Sequence, residues 1–284
     1  MTNAFERSWE ITKKSFAVMK QDKELILFPI FALIFSIIFM IGMIFPVIIT
    51  NITHTNAMSI FNLAIIFLIY LGLSFIATFF NLCVVYTTKK RFEGKNATFM
   101  ESISFAISKI HLIFAWSLVS ATVGLILRMI DEFAERQGQW GEIIIKIMTS
   151  IIGAAWSIIT IFVVPAMVYD NLGPFAAIKK SFQTLKKTWG ESLIRYYAFG
   201  IMQFAFFIIA IIFGLFAIFL LKGIALITAL ILIAIYVITM MIFFGLLSSI
   251  FNTALYHYAN TGKVPNGFDQ EHMANAFTKK NNNN

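Results

Sequence analysis

Residues 196–256 read YYAFGIMQFAFFIIAIIFGLFAIFLLKGIALITALILIAIYVITMMIFFGLLSSIFNTALY, and Lys222 is the only charged residue among them. A transmembrane α-helix needs about 20 consecutive, mostly apolar residues. The stretch is therefore too long for one span, and Lys222-Gly223 marks a tight turn between two spans. Helices are favoured over open strands, because a chain exposed to lipid must satisfy its backbone hydrogen bonds internally.

The composition of the whole chain indicates the same class of protein. Of the 284 residues, 59% are hydrophobic and 13% are charged, and the mean hydropathy is +0.83. The charged share is about half that of a soluble domain. These values exclude a disordered chain, a coiled coil, a nucleic-acid-binding domain and an ordinary cytosolic enzyme. Since Cys83 is the single cysteine, an internal disulfide and a thiolate-cluster metal site are excluded as well.

Six apolar segments are long enough to cross a membrane. The predicted spans cover about 25–49, 59–86, 110–130, 143–169, 193–221 and 224–256. We therefore expect an all-α polytopic helix bundle that forms a single membrane domain over residues 1–278, with a disordered tail at 279–284. No Ala-x-Ala cleavage site follows the first apolar run, which predicts an uncleaved first span.

The distribution of basic residues predicts the orientation of the spans. With six spans, four basic residues fall on one side of the membrane and the remaining 18 of 22 on the other. The four are Arg128, Arg136, Lys146 and Lys222. The acidic residues divide into 4 and 10, so the two sides carry net charges of 0 and +8. The positive-inside rule then places both termini in the cytoplasm of a multi-pass inner-membrane protein.

Amphipathic segments precede three of the spans, at about 3–20, 98–109 and 174–189. The last has an apolar stripe at helical spacing, formed by Phe175, Ile178, Phe182, Leu185 and Trp189. Thr98 and Glu101 form a capping box at the start of the second segment. Such helices lie in the membrane interface with basic residues toward anionic headgroups. The candidate headgroup contacts are Lys13, Lys14, Lys89, Lys90, Arg91, Lys179, Lys180, Lys186 and Lys187.

The arrangement suggests three related units, each made of an amphipathic helix and two spans. Similar dipeptides precede the odd-numbered spans, namely Ser8-Trp9, Ser104-Phe105 and Ser181-Phe182. Chance similarity among Phe-rich and Lys-rich segments is the alternative.

Two motifs resemble an uncharacterised prokaryotic family of integral membrane proteins. The first is Ser8-Trp9 followed by Lys20-Gln21-Asp22-Lys23-Glu24-Leu25 and Phe28-Pro29. The second is Ala254-Leu255-Tyr256-His257-Tyr258-Ala259-Asn260-Thr261-Gly262. The resemblance implies a six-helix membrane protein of unknown function and supplies no catalytic or binding residues. From the residues themselves, we expect Asp22-Lys23-Glu24 to form interfacial ion pairs with Lys and Arg.

The sequence offers no convergent catalytic or metal-binding set. The histidines do not pair at the i, i+4 spacing of a helical metal site; they are His54, His111, His257 and His272. A phosphate loop, a dinucleotide fingerprint and a Gly-x-Ser-x-Gly elbow are also missing from the sequence. We therefore expect no catalytic residues, no cofactor and no metal. The middle of each predicted span lacks an ionisable residue, which argues against a proton relay.

The segment after the third span carries the clustered carboxylates Asp131, Glu132 and Glu135. They could form a divalent-cation site. A continuation of the helix into water, with Glu132 paired to Arg136 four residues on, is the favoured alternative.

Two classes of function stay open. The basic interfacial helices favour a non-enzymatic protein that binds anionic lipids or assembles with partners in the membrane. The alternative is a transporter of a small neutral or amphipathic compound. A polar cavity at mid-membrane would favour transport, whereas an apolar interior would favour the first class. After the last span, Gly262 and Pro265 predict a turn, and we expect Phe268 and Phe277 to dock against the cytoplasmic ends of the helices.

Overall fold

A computed structural model describes residues 22–52, 60–266 and 268, with side chains throughout except at 23, 50–52 and 188–202. This part of the chain contains a short 3-10 turn at Lys23–Ile26, eight α-helices and no strand. The helices are α1 Leu27–Ile52, α2 Ile60–Phe92, α3 Phe99–Ser108, α4 Ile110–Ala134, α5 Gln139–Ile159, α6 Val163–Asp170, α7 Pro174–Leu220 and α8 Ile224–Thr261. The predicted segment 3–20 and the tail 279–284 lie outside the described residues.

Six helical segments are long and apolar enough to cross a membrane, which confirms the predicted number of spans. They are Glu24–Ile49, Ile60–Phe92, Ile110–Ala134, Gln139–Asp170, Gln203–Leu220 and Ile224–Thr261. Many of their large apolar side chains are exposed, for example Ile41, Phe45 and Phe219. Such a surface is stable only against lipid tails, because burial of each such side chain away from water contributes about 1.5–3 kcal/mol. The chain is therefore an all-α polytopic membrane protein.

The helices belong to two compact bodies. The first body consists of residues 27–87 and 97–185, which form α1, most of α2, α3 to α6 and the beginning of α7. The second body contains the described parts of residues 1–26, 88–96 and 186–284, which include the 3-10 turn, the end of α2, the remainder of α7 and α8.

Close contacts between spans organise the first body. The ring of Phe39 on α1 lies directly over Gly72 on α2, where an added Cβ would come within 2.2 Å of the ring. Helices in membranes approach closely at small residues of this kind. On α4 and α5, the rings of Trp116 and Trp156 stack with centroids 6.0 Å apart. Trp116 is therefore buried inside the first body, and the partly exposed Trp156 ring covers it from α5.

The fourth span, predicted as one continuous segment at 143–169, is broken just before Pro165, a residue type that kinks helices. Helix α5 ends at Ile159 and α6 begins at Val163, and the residues between them form a turn. Ser181 on α7 spans this break, because its hydroxyl accepts a hydrogen bond from the Phe162 N–H and donates one to the Ile159 carbonyl. The interruption is held by a contact distant in the sequence, and Pro165 is its local signal, because a proline cannot donate to the carbonyl of Ile161 and interrupts a continuous helix there.

Helix α7 also differs from the sequence expectation. We predicted an interfacial helix at 174–189 and a separate span from 193, but one helix runs from Pro174 through Leu220. After Pro174 this segment contains no proline, so no missing backbone N–H interrupts the helix. By contrast, α3 and α4 are separated at Lys109, whose φ and ψ of −106° and 13° leave the helical region.

Candidate lipid-facing surface and polar junction

Helix α3 is fixed to the first body through a small polar network. Thr98 caps the helix by accepting a hydrogen bond from the Glu101 N–H at 3.2 Å, which confirms the Thr98 half of the predicted capping box. The Glu101 carboxylate accepts a hydrogen bond from the Tyr86 hydroxyl at 3.0 Å. One turn on, the Ser102 hydroxyl lies 2.7 Å from the Thr87 hydroxyl of α2. The Cys83 thiol donates to the Ser102 carbonyl at 3.5 Å. Because these groups are buried and bonded, the inner face of α3 is polar but satisfied.

The outer face of α3 is apolar and uncovered. Ser102 and Ala106 are buried on the inner face, whereas Met100 and Ile107 are 69% and 55% exposed. The exposed face continues into α4 at Ile110, which is also exposed. The helix therefore uses small residues to contact the protein and leaves its large apolar residues outside.

The first turns of α7 have the same arrangement. Ala177 and Ser181 are completely buried, while Phe175 is 78% and Phe182 37% exposed. The predicted stripe does not form a single face, because Leu185 is buried against the protein. Trp189, the last member of that stripe, has a side chain outside the described residues. We call α3 and residues 174–185 of α7 the surface helices.

The basic residues near the surface helices differ in what they contact. Lys180 lies 3.6 Å from Asp170, and the Lys109 ammonium donates to the Asn171 side-chain oxygen at 2.7 Å. Asn171 adopts a left-handed conformation with φ of 53°, which ends α6. Lys179 is exposed, and no carboxylate in the described part of the chain pairs with it. Of these three cations, Lys179 is therefore the most available to a ligand.

The remaining predicted lipid contacts have different environments. Lys186 and Lys187 are exposed, whereas Lys89 and Lys90 are half-buried. Arg91 lies 3.2 Å from the Asp22 carboxylate, so its guanidinium contributes to an internal ion pair. Arg91 is therefore less suited to contact a lipid headgroup than the sequence predicted, because Asp22 already neutralises its charge. Lys13 and Lys14 lie outside the described residues.

In the second body, five residues form what we call the polar junction: Asp22, Arg91, Phe92, His257 and Phe268. Asp22 is only 5% exposed, and its ion pair with Arg91 fulfils the expectation of interfacial ion pairing. The Phe92 ring lies 6.2 Å from the His257 ring and 5.7 Å, edge to face, from Phe268. The junction brings residues of both sequence motifs together, although the sequence did not reveal their partnership.

The C-terminal segment turns back after α8 as predicted. Gly262 ends the helix with φ of 69°, a conformation that glycine adopts without steric cost. Pro265 and Phe268 are buried, so Phe268 docks against the end of α2 through Phe92. Phe277, the other predicted contact, lies outside the described residues.

Charged residues also cluster where the end of α4 meets the start of α5. The carboxylates considered as a divalent-cation site lie in this region. Arg128 donates to Glu132 at 3.0 Å, one helical turn away. Lys146 lies 2.6 Å from Glu142 and 3.5 Å from Glu135. Glu132, Glu135 and Glu142 are thus paired with cations, and no group of His, Cys, Asp and Glu within the described ranges is arranged to hold a metal ion.

The helical continuation predicted for this segment is present, but its ion pair was assigned incorrectly. Helix α4 extends to Ala134, and Glu132 pairs with Arg128 rather than with Arg136. Both candidate cations are four residues from Glu132. Only Arg128 lies within the helix, where the i, i+4 spacing brings side chains together; Arg136 follows the helix end.

Between α7 and α8, the second body has an open groove with a volume of about 470 Å³, which we call the cavity. Its lining is aliphatic and aromatic, and the hydroxyl of Tyr236 is the one polar side-chain group among the lining residues. This cavity therefore has no set of polar groups suited to a hydrophilic solute.

Comparison with known proteins identifies the family of this chain. The model of DUF6159, described as a family of unknown function, matches residues 60–268. The chain belongs to this family. The match includes the C-terminal motif and Phe268, whereas Asp22 and the rest of the N-terminal motif precede it. No curated protein and no solved structure matches the chain.

Proposed function

We propose that this member of the DUF6159 family is a non-enzymatic inner-membrane protein that binds anionic lipids on its cytoplasmic side. The surface helices are the proposed binding elements, with Lys179 as their principal headgroup contact and with Lys186 and Lys187, which follow on α7 in the second body, as further candidates. Both termini are placed in the cytoplasm in this proposal, because the 18 basic residues on that side follow the positive-inside rule.

The observation that carries the proposal is the outward apolar face of both surface helices. Met100 and Ile107 on α3, and Phe175 on α7, are more than half exposed, although smaller residues beside them are buried. In water this arrangement would be unfavourable, because the largest apolar side chains would stay exposed to solvent. In a membrane interface it is favourable, because an amphipathic helix inserts its apolar face at the boundary of headgroups and acyl chains.

The exposed lysines supply the second part of the argument. Lys179 lies four residues from Phe175 on α7, and Lys186 lies four residues from Phe182. A long Lys side chain can keep its ammonium in the headgroup layer while its methylenes cover apolar surface. Each such cation near an anionic leaflet contributes roughly 1 kcal/mol to binding. Lipid binding at this surface is therefore electrostatic as well as hydrophobic.

The nature of the cavity between α7 and α8 favours this proposal over transport of a polar compound. A transport site for a polar solute needs hydrogen-bonding groups near mid-membrane. Here Tyr236 is the single polar side chain on the walls. This groove therefore offers a polar solute no set of hydrogen-bonding groups, which supports the lipid-binding proposal.

The test is to change Lys179, Lys186 and Lys187 together to Gln and to measure binding to vesicles with and without phosphatidylglycerol. Lys180 is kept, because its contact with Asp170 belongs to the fold. We expect unchanged folding and a loss of at most about 3 kcal/mol in the preference for anionic vesicles, at roughly 1 kcal/mol per lysine.

The matched control changes the same three lysines to Arg, which keeps their charges. We expect this variant to bind anionic vesicles like the unmodified protein. If the Gln variant kept its full preference for anionic vesicles, the surface helices would not be the binding element and the proposal would be wrong.

A further inference from the structure

The cavity between α7 and α8 owes its existence to small side chains. Ala210 and Ala217 are buried on α7, and Ala229 faces them from α8; all three line the cavity. The other lining residues, among them Phe213 and Phe216, are larger, so the short alanine side chains leave a gap between them. Two adjacent membrane helices usually use small residues to approach closely. Here the alanines instead leave about 470 Å³ open.

The cavity opens onto the exposed apolar surface of the two spans, since the lining residues Phe213, Phe216 and Leu220 are more than 60% exposed. Its apolar walls gain dispersion contacts only when apolar atoms fill it. The volume of about 470 Å³ falls within the range of natural ligand pockets. An occupant with a long apolar part is therefore expected.

The mouth of the cavity carries a positive charge. Lys222 directly follows Leu221, a lining residue, in the turn that joins α7 to α8. It is exposed, and the described part of the chain places no carboxylate in an ion pair with it. A lysine at the end of a span extends its ammonium into the headgroup layer. The site thus combines an apolar groove with one cation at its membrane boundary.

We propose that this groove binds one acyl chain of a phospholipid and that Lys222 contacts the phosphate of the same lipid. The lipid comes from the leaflet that adjoins the turn at Lys222. The chain fills the space left by Ala210, Ala217 and Ala229, and the phosphate compensates the Lys222 ammonium. A phospholipid joins these two chemistries, an apolar chain and an anionic phosphate, in one molecule.

A helix from a second copy of the protein fits the groove less well. An α-helix with its side chains is about 10–12 Å across, so 470 Å³ would hold roughly one turn. Such a contact also leaves the Lys222 charge without a partner. The proposal is independent of the lipid-binding function above, because none of these residues belongs to the surface helices.

The test uses native mass spectrometry on the full chain, purified in mild detergent after reconstitution in vesicles of phosphatidylethanolamine and phosphatidylglycerol. We expect the unmodified protein to retain one phospholipid per chain. Ala217→Phe should reduce the retained fraction about tenfold, because the added ring occupies the groove. Ala205→Phe is the matched control on the same helix, since Ala205 is exposed, and it should retain lipid normally.

A second variant tests the charge at the mouth without changing the groove. Lys222→Gln should lower phospholipid retention about fivefold, as expected for the loss of one cation near the headgroups, whereas Lys222→Arg should not. Because Lys222 is exposed, these variants keep the fold. The Gln variant at Lys179, Lys186 and Lys187 should retain this lipid, so failure of one proposal is distinguishable from failure of the other.

Three results would overturn the inference. The first is equal lipid retention by Ala217→Phe and Ala205→Phe. The second is retention unaffected by Lys222→Gln. The third is an unmodified protein that carries no phospholipid. This result would overturn the inference whether the measured mass is that of one empty chain or of a dimer of two chains.

Discussion

Ser181 shows how one hydroxyl fixes the position of a break in a membrane span. Its oxygen accepts from the Phe162 N–H at 3.0 Å and also donates to the Ile159 carbonyl. Both backbone groups lie at the break between α5 and α6. The regular hydrogen bonds of an α-helix therefore do not satisfy the Phe162 N–H and the Ile159 carbonyl. In an apolar environment an unpaired backbone group is costly. The serine thereby couples α7 to the fourth span.

Replacing this hydroxyl should destabilise the protein. Ser181→Ala leaves a buried N–H without its partner, and such a loss costs about 1–3 kcal/mol. We expect a lower melting temperature in detergent. Ser104→Ala is the control, because Ser104 holds the equivalent place in the predicted repeat but is exposed; its effect should stay within about 0.5 kcal/mol. Equal melting temperatures for the two variants would contradict the role of Ser181.

The Asp22–Arg91 ion pair gives a second prediction for single residues. Asp22→Asn removes the charge that faces a guanidinium at 3.2 Å, and the buried position of Asp22 limits compensation by water. A hydrogen bond to a charged group contributes about 1.5–3 kcal/mol, so we expect destabilisation of that size by thermal unfolding. Glu93→Gln is the control, since Glu93 is exposed. Unfolding of both variants at the same temperature would show that the ion pair is not stabilising.

At the scale of elements, the sequence predicted the features that follow from the length of apolar runs. It missed the features that depend on tertiary contacts. The six spans and the turn at Lys222 follow from hydrophobic runs and one polar interruption. The break between α5 and α6 lies just before Pro165, which is a local signal, but the Ser181 bonds that hold it come from another helix and no local pattern reveals them. Likewise, the stripe containing Phe175 was correctly identified as apolar, yet the face that contacts the protein is formed by Ala177 and Ser181. Small residues carry little hydrophobic signal, so periodicity alone does not identify such a face.

The segment after α8 gives a prediction at this scale. Phe268 is 9% exposed and contacts Phe92 edge to face. Full burial of a Phe side chain contributes about 1.5–3 kcal/mol, so Phe268→Ala should lower the free energy of unfolding by about 2 kcal/mol in detergent. Deletion from Thr278 onward is the comparison and should leave stability unchanged. An unaltered melting temperature for Phe268→Ala would show that the segment does not dock.

At the scale of the whole molecule, charge asymmetry connects the fold to the proposed function. Net charges of +8 and 0 on the two sides follow from the sequence and the six spans. Sequence reasoning could select the basic residues but could not separate exposed from engaged cations: Lys179 is exposed, whereas Arg91 pairs with Asp22. That distinction needs the tertiary structure, because Asp22 and Arg91 lie far apart in the chain. The proposal requires the lysine-rich side to face the anionic cytoplasmic leaflet.

Membrane orientation is therefore the most direct test of the account. With Cys83→Ala as background, Glu135→Cys and Lys263→Cys introduce single exposed thiols on opposite predicted sides. An impermeant maleimide applied to intact cells should label the thiol at 135 and leave the one at 263 unlabelled until the cells are opened. Labelling at 263 but not at 135 in intact cells would contradict both the orientation and the proposed binding of cytoplasmic anionic lipids.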